Sequence, residues 1–335
     1  MILGKNYFNG IQNDKLYLGT NLIYSNVAPS DFTPLTNSNF NTVRDLWFTN
    51  QAQAEASYGL IGQWNTTGVT NMNEAFKVDN NVTNGFNEDI SGWDTSNVTS
   101  MYAMFFDQTS FNQPIGSWDT SSVTSASNML RSCESFNQPL NSWNTSNFGD
   151  INSLFFRCLV FNQPLNSWDT SNVTNLSGTF FGASSFNQDL SSWNTSNVHN
   201  ISSIFWNASA FNQPLNSWDV SNVTNMAYSL RETSVFNQDL SSWDTSKVTS
   251  MRSIFYKSYL FDQNISSWNV NKVSNLSSFL TQGGLSESNY NALLIGWEAT
   301  LQAEFPNGVG YSLTPSVTFG LSEYRGSGQA GVSRA

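Results

Sequence analysis

The sequence predicts a repeat solenoid, an elongated body of short coils that each bury an apolar face only against their neighbours. Three observations predict it. Eight tryptophans, Trp93, Trp118, Trp143, Trp168, Trp193, Trp218, Trp243 and Trp268, recur every 25 residues without a slip. A phenylalanine sits seven residues before each, from Phe86 to Phe261. Between them run further apolar columns: Ile or Leu four residues after the Phe, and Val twelve after it, replaced once by Phe148. A fixed period of this length marks stacked units, and 335 residues then form one array with end caps rather than two ordinary domains.

The elements follow in order. Residues 1–26 are expected to form an anchoring module, because KLYLGTNLIYS alternates apolar and polar residues about Gly-Thr-Asn, the pattern of a β-hairpin. Residues 27–36 carry two prolines and read as a linker. Residues 37–56 place Phe40, Val43, Leu46 and Trp47 at helical spacing, an amphipathic helix that caps the first coil. The coils span 57–297, with YNALLIGW at 290–297 echoing FNQPLNSW. Residues 298–335 are expected to be a C-terminal cap cut short, with a strand in SVTFGL.

Within a coil, Met101, Met104 and Phe105 show the i, i+3, i+4 spacing of one inward-facing helical turn. The FNQPL segment would ordinarily hold the stacked strand. The prolines Pro114, Pro139 and Pro164 oppose this, since each removes a ladder donor. The strand is therefore expected to be short or irregular. The Asp or Asn after each Trp reads as a turn closed by its own side chain, a better account of that column than calcium. The column from Asn87 to Asn237 is expected to form an amide ladder inside the stack, ending at Asp262. Cys133 and Cys158 occupy one place in adjacent coils; they are either two small buried side chains or a disulfide.

Composition narrows function. Only 11% of residues are charged, the net charge is −11, and Asn, Ser and Thr supply the polar surface. Nucleic acid binding through phosphate neutralisation is not expected, nor is docking on anionic membranes. No apolar run approaches the roughly 18–20 residues that span a bilayer. The start, MILGKNYFNGIQNDK, has no apolar region with a cleavage site, so no signal peptide is expected in this chain. The single histidine, His199, sits in a column of threonines and reads as a surface substitution. No phosphate loop, nucleophile elbow or metal-ligand spacing is seen, so no enzyme and no cofactor are expected.

The block F-N-Q-D/P-L-S-S-W-D-T-S-N-V-T-N-M-x-x-M-F resembles the 25-residue repeats of BspA-like leucine-rich-repeat surface proteins. TVRDLWFTNQAQAEASYGLIGQW is similar to the helix that opens such arrays, and NYNALLIGW with SVTFGLSEYRGSG to their closing cap. The resemblance implies a leucine-rich-repeat-like solenoid and a role in surface adhesion or recognition, with no catalytic residues to transfer. KLYLGTNLIYS also looks like short N-terminal modules of phage tail-associated proteins.

One column is the candidate binding surface: Phe106, Arg131, Phe156, Phe181, Trp206, Arg231 and Tyr256, just beyond the buried Phe or Leu of each coil. Aromatic and Arg side chains are the enriched anchors of recognition surfaces. The alternative is that these residues only cover the edge of the core. The expected function is that of a non-enzymatic virion-surface protein, tail-associated, recognising a host polysaccharide or protein. Residues 1–36 would join it to other virion proteins, homo-oligomers being a further partner class. A cell-surface adhesin, bacterial or algal, and a structural decoration or filament subunit are the other readings. Each places the chain on a virion surface or outside the cell.

Overall fold

In the computed structural model, residues 32–304 except 80 are described, together with three short strands before them. The strands β1 (Ile11–Gln12), β2 (Lys15–Leu18) and β3 (Asn21–Ser25) form an antiparallel sheet in the order β1-β2-β3. The expected hairpin is β2 with β3. The linker at 27–31, the SVTFGL segment and the rest of 305–335 lie outside the described residues.

The segment expected to hold one capping helix holds two, α1 (Phe40–Thr49) and α2 (Gln51–Tyr58). Asn50 separates them and its side chain accepts the Gln53 N–H at 3.3 Å, an N-cap. Phe40 packs edge-on against Trp64 and Trp93, 6.4 and 5.7 Å between ring centres. The apolar face of α1 thus covers the first tryptophans of the array.

From Asn71 to Asn275 the units stack in register. One parallel bridge joins each to the next, at Asn71–Ser100, Ser100–Ser125, Ser125–Asp150 and onward to Ser250–Asn275. Among the described residues no strand longer than such a bridge occurs in this stretch. The bridge does not fall in FNQPL. There Asn Oδ1 accepts the main-chain N–H of the Asn one unit on, as from Asn112 to Asn87 at 2.8 Å and Asn137 to Asn112 at 2.9 Å. The amide ladder therefore forms, but at the surface: Asn87 and Asn162 are exposed and Asn112 and Asn137 half-buried. Side-chain acceptors replace the strand ladder that the neighbouring prolines would interrupt.

The tryptophan column is the spine of the core. The eight indoles are at most 4% exposed. Each Nε1–H donates to the carbonyl of the Ile or Leu in the preceding unit, from Trp93 to Ile61 at 2.7 Å to Trp268 to Leu240 at 2.9 Å. Successive rings are near parallel, 6.3 Å apart for Trp168–Trp193 and Trp193–Trp218. The phenylalanines stack alongside, 6.0 Å apart from Phe111 to Phe136 to Phe161. A buried indole N–H is costly unless it is paired, and every unit solves this identically. Threonine does the same on the opposite side: Thr95, Thr120 and Thr145 donate to the carbonyls of Asp119, Asn144 and Asp169 in the following unit, at 2.9–3.0 Å.

The segment whose spacing predicts a helical turn is built differently. Its residues make tandem turns, with Met104 N–H bonding Met101, Phe106 N–H bonding Ala103 and Gln108 N–H bonding Phe105. The intervening N–H groups of Met101, Ala103, Phe105 and Asp107 instead reach Ser125, Ser127, Met129 and Arg131 of the next unit, at 2.9–3.0 Å. To alternate in this way, the backbone enters the left-handed region twice per unit, at Ala103 and Asp107 (φ 51° and 65°) and again at Asn128 and Ser132 (58° and 59°). Each such non-glycine residue costs on the order of 1–2 kcal/mol, offset by the bonds gained between units. In one unit both places are glycine, Gly178 and Gly182. The apolar positions Met101, Met104 and Phe105 are fully buried, as a helical turn would also have made them.

Both ends are closed by side chains. The first unit has no predecessor to donate to its carbonyls. Arg44 of α1, 7% exposed, does so, with Nη1 2.8 Å from the Ala75 oxygen. At the other end the echo at 290–297 is not a further coil: it lies inside α3 (Glu287–Glu304), an 18-residue helix. Asp262, last of the Asn column, accepts from the Ser286 N–H and the Asn289 amide at 2.8 Å each and seats the start of this helix. No helix among the described residues is long and apolar enough to cross a membrane.

Candidate functional site

The left-handed turns carry the candidate column. The residue after the buried Phe or Leu lies three residues beyond one left-handed position and just before the next, so it leaves the core at the rim of the stack. All seven predicted residues are half-buried, and the structure brings them into one line. The Arg131 guanidinium lies between the rings of Phe106 and Phe156, 5.1 and 3.9 Å from their centres. Phe156 and Phe181 stack at 4.2 Å and 7°; Phe181 meets Trp206 at 4.8 Å, tilted by 58°. Arg231 then sits between Trp206 and Tyr256, at 4.5 and 4.2 Å. Cation–π contacts of this kind contribute about 0.5–2 kcal/mol each, more as water is excluded.

The column is longer and wider than the sequence reading had it. Lys77 is its first member, 5.7 Å from the Phe106 ring, hidden by the longer interval of 29 residues between Trp64 and Trp93. Tyr228 stacks on Trp206 at 5.2 Å from a position that is polar or small in other units. Glu232 holds Arg231 at 3.1 Å and accepts from the Trp206 indole at 3.4 Å. Six of the eight Lys and Arg residues between 57 and 280 lie in or beside this column: Lys77, Arg131, Arg157, Arg231, Arg252 and Lys257. Lining up units by structure rather than by a constant count would have found Lys77. Nothing in the period announces Tyr228 or Glu232.

Ring faces along the column are largely occupied by neighbouring side chains, so what reaches solvent is ring edges and guanidinium N–H groups. Burial holds the Arg131 pKa below its ordinary value, opposed by the charge of Asp107, and the guanidinium stays protonated throughout the working range. Arg157 pairs with Glu134 at 3.0 Å.

The other predicted features are placed as follows. Cys133 and Cys158 are free, fully buried thiols rather than a disulfide. Each donates to a main-chain carbonyl of the preceding unit, Phe105 at 3.2 Å and Leu130 at 3.1 Å, so each sulfur already has its partner in the stack. Burial pushes both thiols well above their ordinary pKa, which suppresses thiolate chemistry. The Asp column closes its own turns: Asp119 Oδ1 accepts the Ser121 N–H at 2.9 Å, and the Ser121 hydroxyl and N–H hold its carboxyl below the usual range. Asp169 and Asp244 are held in the same way by Ser171 and Ser246. Among the described residues no group of three His, Cys, Asp or Glu could hold a metal ion.

Comparison with known proteins gives one family. Neither a curated protein nor a solved structure matches the chain. A family model described as "Mycoplasma protein of unknown function, DUF285" matches residues 44–159, 140–234 and 195–293 in three overlapping passes, the behaviour of a repeat. Those passes run through the stacked units and their helical ends, and the chain is a repeat protein belonging to the DUF285 family.

Proposed function

We propose that this chain is a leucine-rich-repeat-like solenoid that acts, without catalysis, as a recognition or adhesion module at a surface. The observation that carries this is the continuous half-buried column from Lys77 to Tyr256, in which aromatic and cationic side chains hold one another in place. Side chains fixed before binding lose little entropy on contact, so a weak contact repeated along the column sums to useful affinity. A long ligand with repeating chemistry, such as a surface polysaccharide, is the partner that such a row fits. Residues 1–26 serve as the anchor.

Display on a virion, through that tail-like module, is the first reading. The family description names Mycoplasma, and this favours a cell surface as the alternative. The test is binding of the labelled full chain to candidate host cells and to an array of their polysaccharides. The triple variant Phe156→Ser, Phe181→Ser, Trp206→Ser and a form lacking 1–36 are measured beside it. Saturable binding that survives the deletion and fails in a folded triple variant is expected. Binding unchanged in that variant removes the column from the function. No binding at all, with ordered self-assembly at micromolar concentration, replaces recognition by an architectural role.

A further inference from the structure

Two arginines occupy the column, and they are not alike. Arg231 is sandwiched between Trp206 and Tyr256, and its in-plane N–H edge is closed by Glu232, at 3.2 Å from Nε and 3.1 Å from Nη2. Arg131 is sandwiched in the same way between Phe106 and Phe156. Four units separate the two, and the residue corresponding to Glu232 is Ser132. The backbones agree: φ is 59° at Ser132 and 58° at Glu232, and each N–H donates to the carbonyl one unit on, Phe156 at 2.7 Å and Tyr256 at 2.8 Å. Among the described residues, no side-chain hydrogen bond or ion pair engages the Arg131 guanidinium. Asp107 acts on it only through its charge, and the Glu134 carboxylate is held by Arg157.

We propose that Arg131 is a binding site for the carboxylate of an acidic polysaccharide, the ligand carboxylate taking the place that Glu232 fills at Arg231. Both faces of the guanidinium are covered, so the edge is the side left for a ligand, and a carboxylate matches that fork with two parallel bonds. Tyr102 supplies the sugar contact. It is 41% exposed and lies within electrostatic range of Arg131, and among the described residues no ring stacks on it, in contrast to the rings of the column. A uronate unit with its ring on Tyr102 and its carboxylate on Arg131 uses both groups. With only 11% charged residues and a surface of Asn, Ser and Thr, the surroundings suit sugar hydroxyls better than an acidic peptide. The inference rests on the recognition reading above and names its ligand class.

The test uses the full chain and three probes: polygalacturonate, neutral dextran and poly-L-glutamate, at low and physiological salt. Wild type is expected to bind polygalacturonate over both others. Ser132→Glu installs the internal carboxylate that Arg231 already has, leaves Arg131 in place, and should weaken polygalacturonate binding by about tenfold or more. Arg131→Lys should weaken it to a similar degree, because an ammonium lacks the planar fork. Lys272→Gln, at an exposed cation outside the column, should leave it unchanged. Tyr102→Ala should reduce polygalacturonate binding alone, and urea midpoints show which variants remain folded. Wild-type strength in folded Ser132→Glu overturns the site, as does absence of polygalacturonate binding by wild type. Equal binding of poly-L-glutamate overturns the polysaccharide assignment. If host-cell binding persists in Ser132→Glu, the recognition reading stands and the Arg131 site falls; if the wild-type chain binds no cell or polysaccharide, the recognition reading itself falls.

Discussion

The tryptophan column and the rim column both run along the stacked units, and they differ in almost every respect. The inner one is tryptophan in every unit, at most 4% exposed, with each indole from Trp93 to Trp268 committed to the equivalent carbonyl one unit back. The outer one mixes Phe, Trp, Tyr, Arg and Lys, stays half-buried, and is held by face-to-face contact rather than by a repeated hydrogen bond. The difference shows what fixes a residue in a stacked array. Where a main-chain acceptor must be met inside the core, one side chain serves and the column is uniform. Where only packing at the rim is required, many residues serve, and the choice is free to be made for a ligand.

The largest test sets one column against the other. Trp193→Ala is expected to lower stability by about 3–5 kcal/mol in urea unfolding, the cost of emptying a core site of that size. Phe181→Ala, at the rim, should cost about 1–2 kcal/mol from one lost stack and partial burial. Equal costs would erase the distinction between spine and rim.

A second comparison lies within the inner column. Trp193 Nε1–H meets Leu165 at 3.1 Å, whereas Trp64 Nε1, with no unit before it, has no partner among the described residues. Replacing each by Phe removes the same atoms. Trp193→Phe should therefore cost about 1 kcal/mol more than Trp64→Phe, the difference measuring the indole–carbonyl bond. Smaller still is Thr170→Val, which removes a hydroxyl that donates to Asn194 at 3.0 Å. Val220 and Val270 already fill that column at 2% exposure, so a loss below about 1 kcal/mol is expected.

The smallest effect is read from pH. Asp150 stands where other units have Asn175, Asn200 and Asn225, and burial raises its pKa. An acid with a raised folded pKa stabilises the fold below its unfolded pKa, and this is lost as pH rises through the folded value. Asp150→Asn keeps the acceptor for the Asn152 N–H, now 2.9 Å from the carboxylate. It should raise the urea midpoint at pH 7, and the gain should fade on acidification as Asp150 protonates. A gain that persists at low pH would assign the effect to something other than charge.

The sequence was informative wherever a column repeats a buried contact. Trp, Phe, Val and the Met/Leu/Phe cluster could be read as core from spacing alone, and they are buried. It misled where one spacing serves two backbones. Met101, Met104 and Phe105 face inward from a helical turn and equally from tandem turns, and only the bonds to the next unit distinguish them. Asn87 and its successors were read as an interior amide ladder; the ladder lies at the surface, where each Oδ1 accepts the next unit's main-chain N–H and, from Asn112 on, its Gln side-chain amide. For the cysteines the period left two readings open, buried thiols or a disulfide; they are buried thiols, because the same separation lets each meet a carbonyl one unit back. The seven column residues were legible because they break a polar pattern. Lys77 was not, because an insertion shifts its count, and the contrast between Ser132 and Glu232 acquires meaning only once the sandwiches are seen.

The rim turns donate their free N–H groups forward, from each unit to the one after it, and Arg44 supplies the missing donor to the first. Direction is therefore written into the array while length is not. A whole unit added or removed in the middle finds donors behind it and acceptors ahead of it, as every other unit does. Along the rim turns the two ends are not interchangeable: there the start must offer hydrogen and the finish must accept it. A protein built this way extends its reach by copying an internal stretch of its own gene, with neither end redesigned, and each copy brings another rim position for a ligand to test.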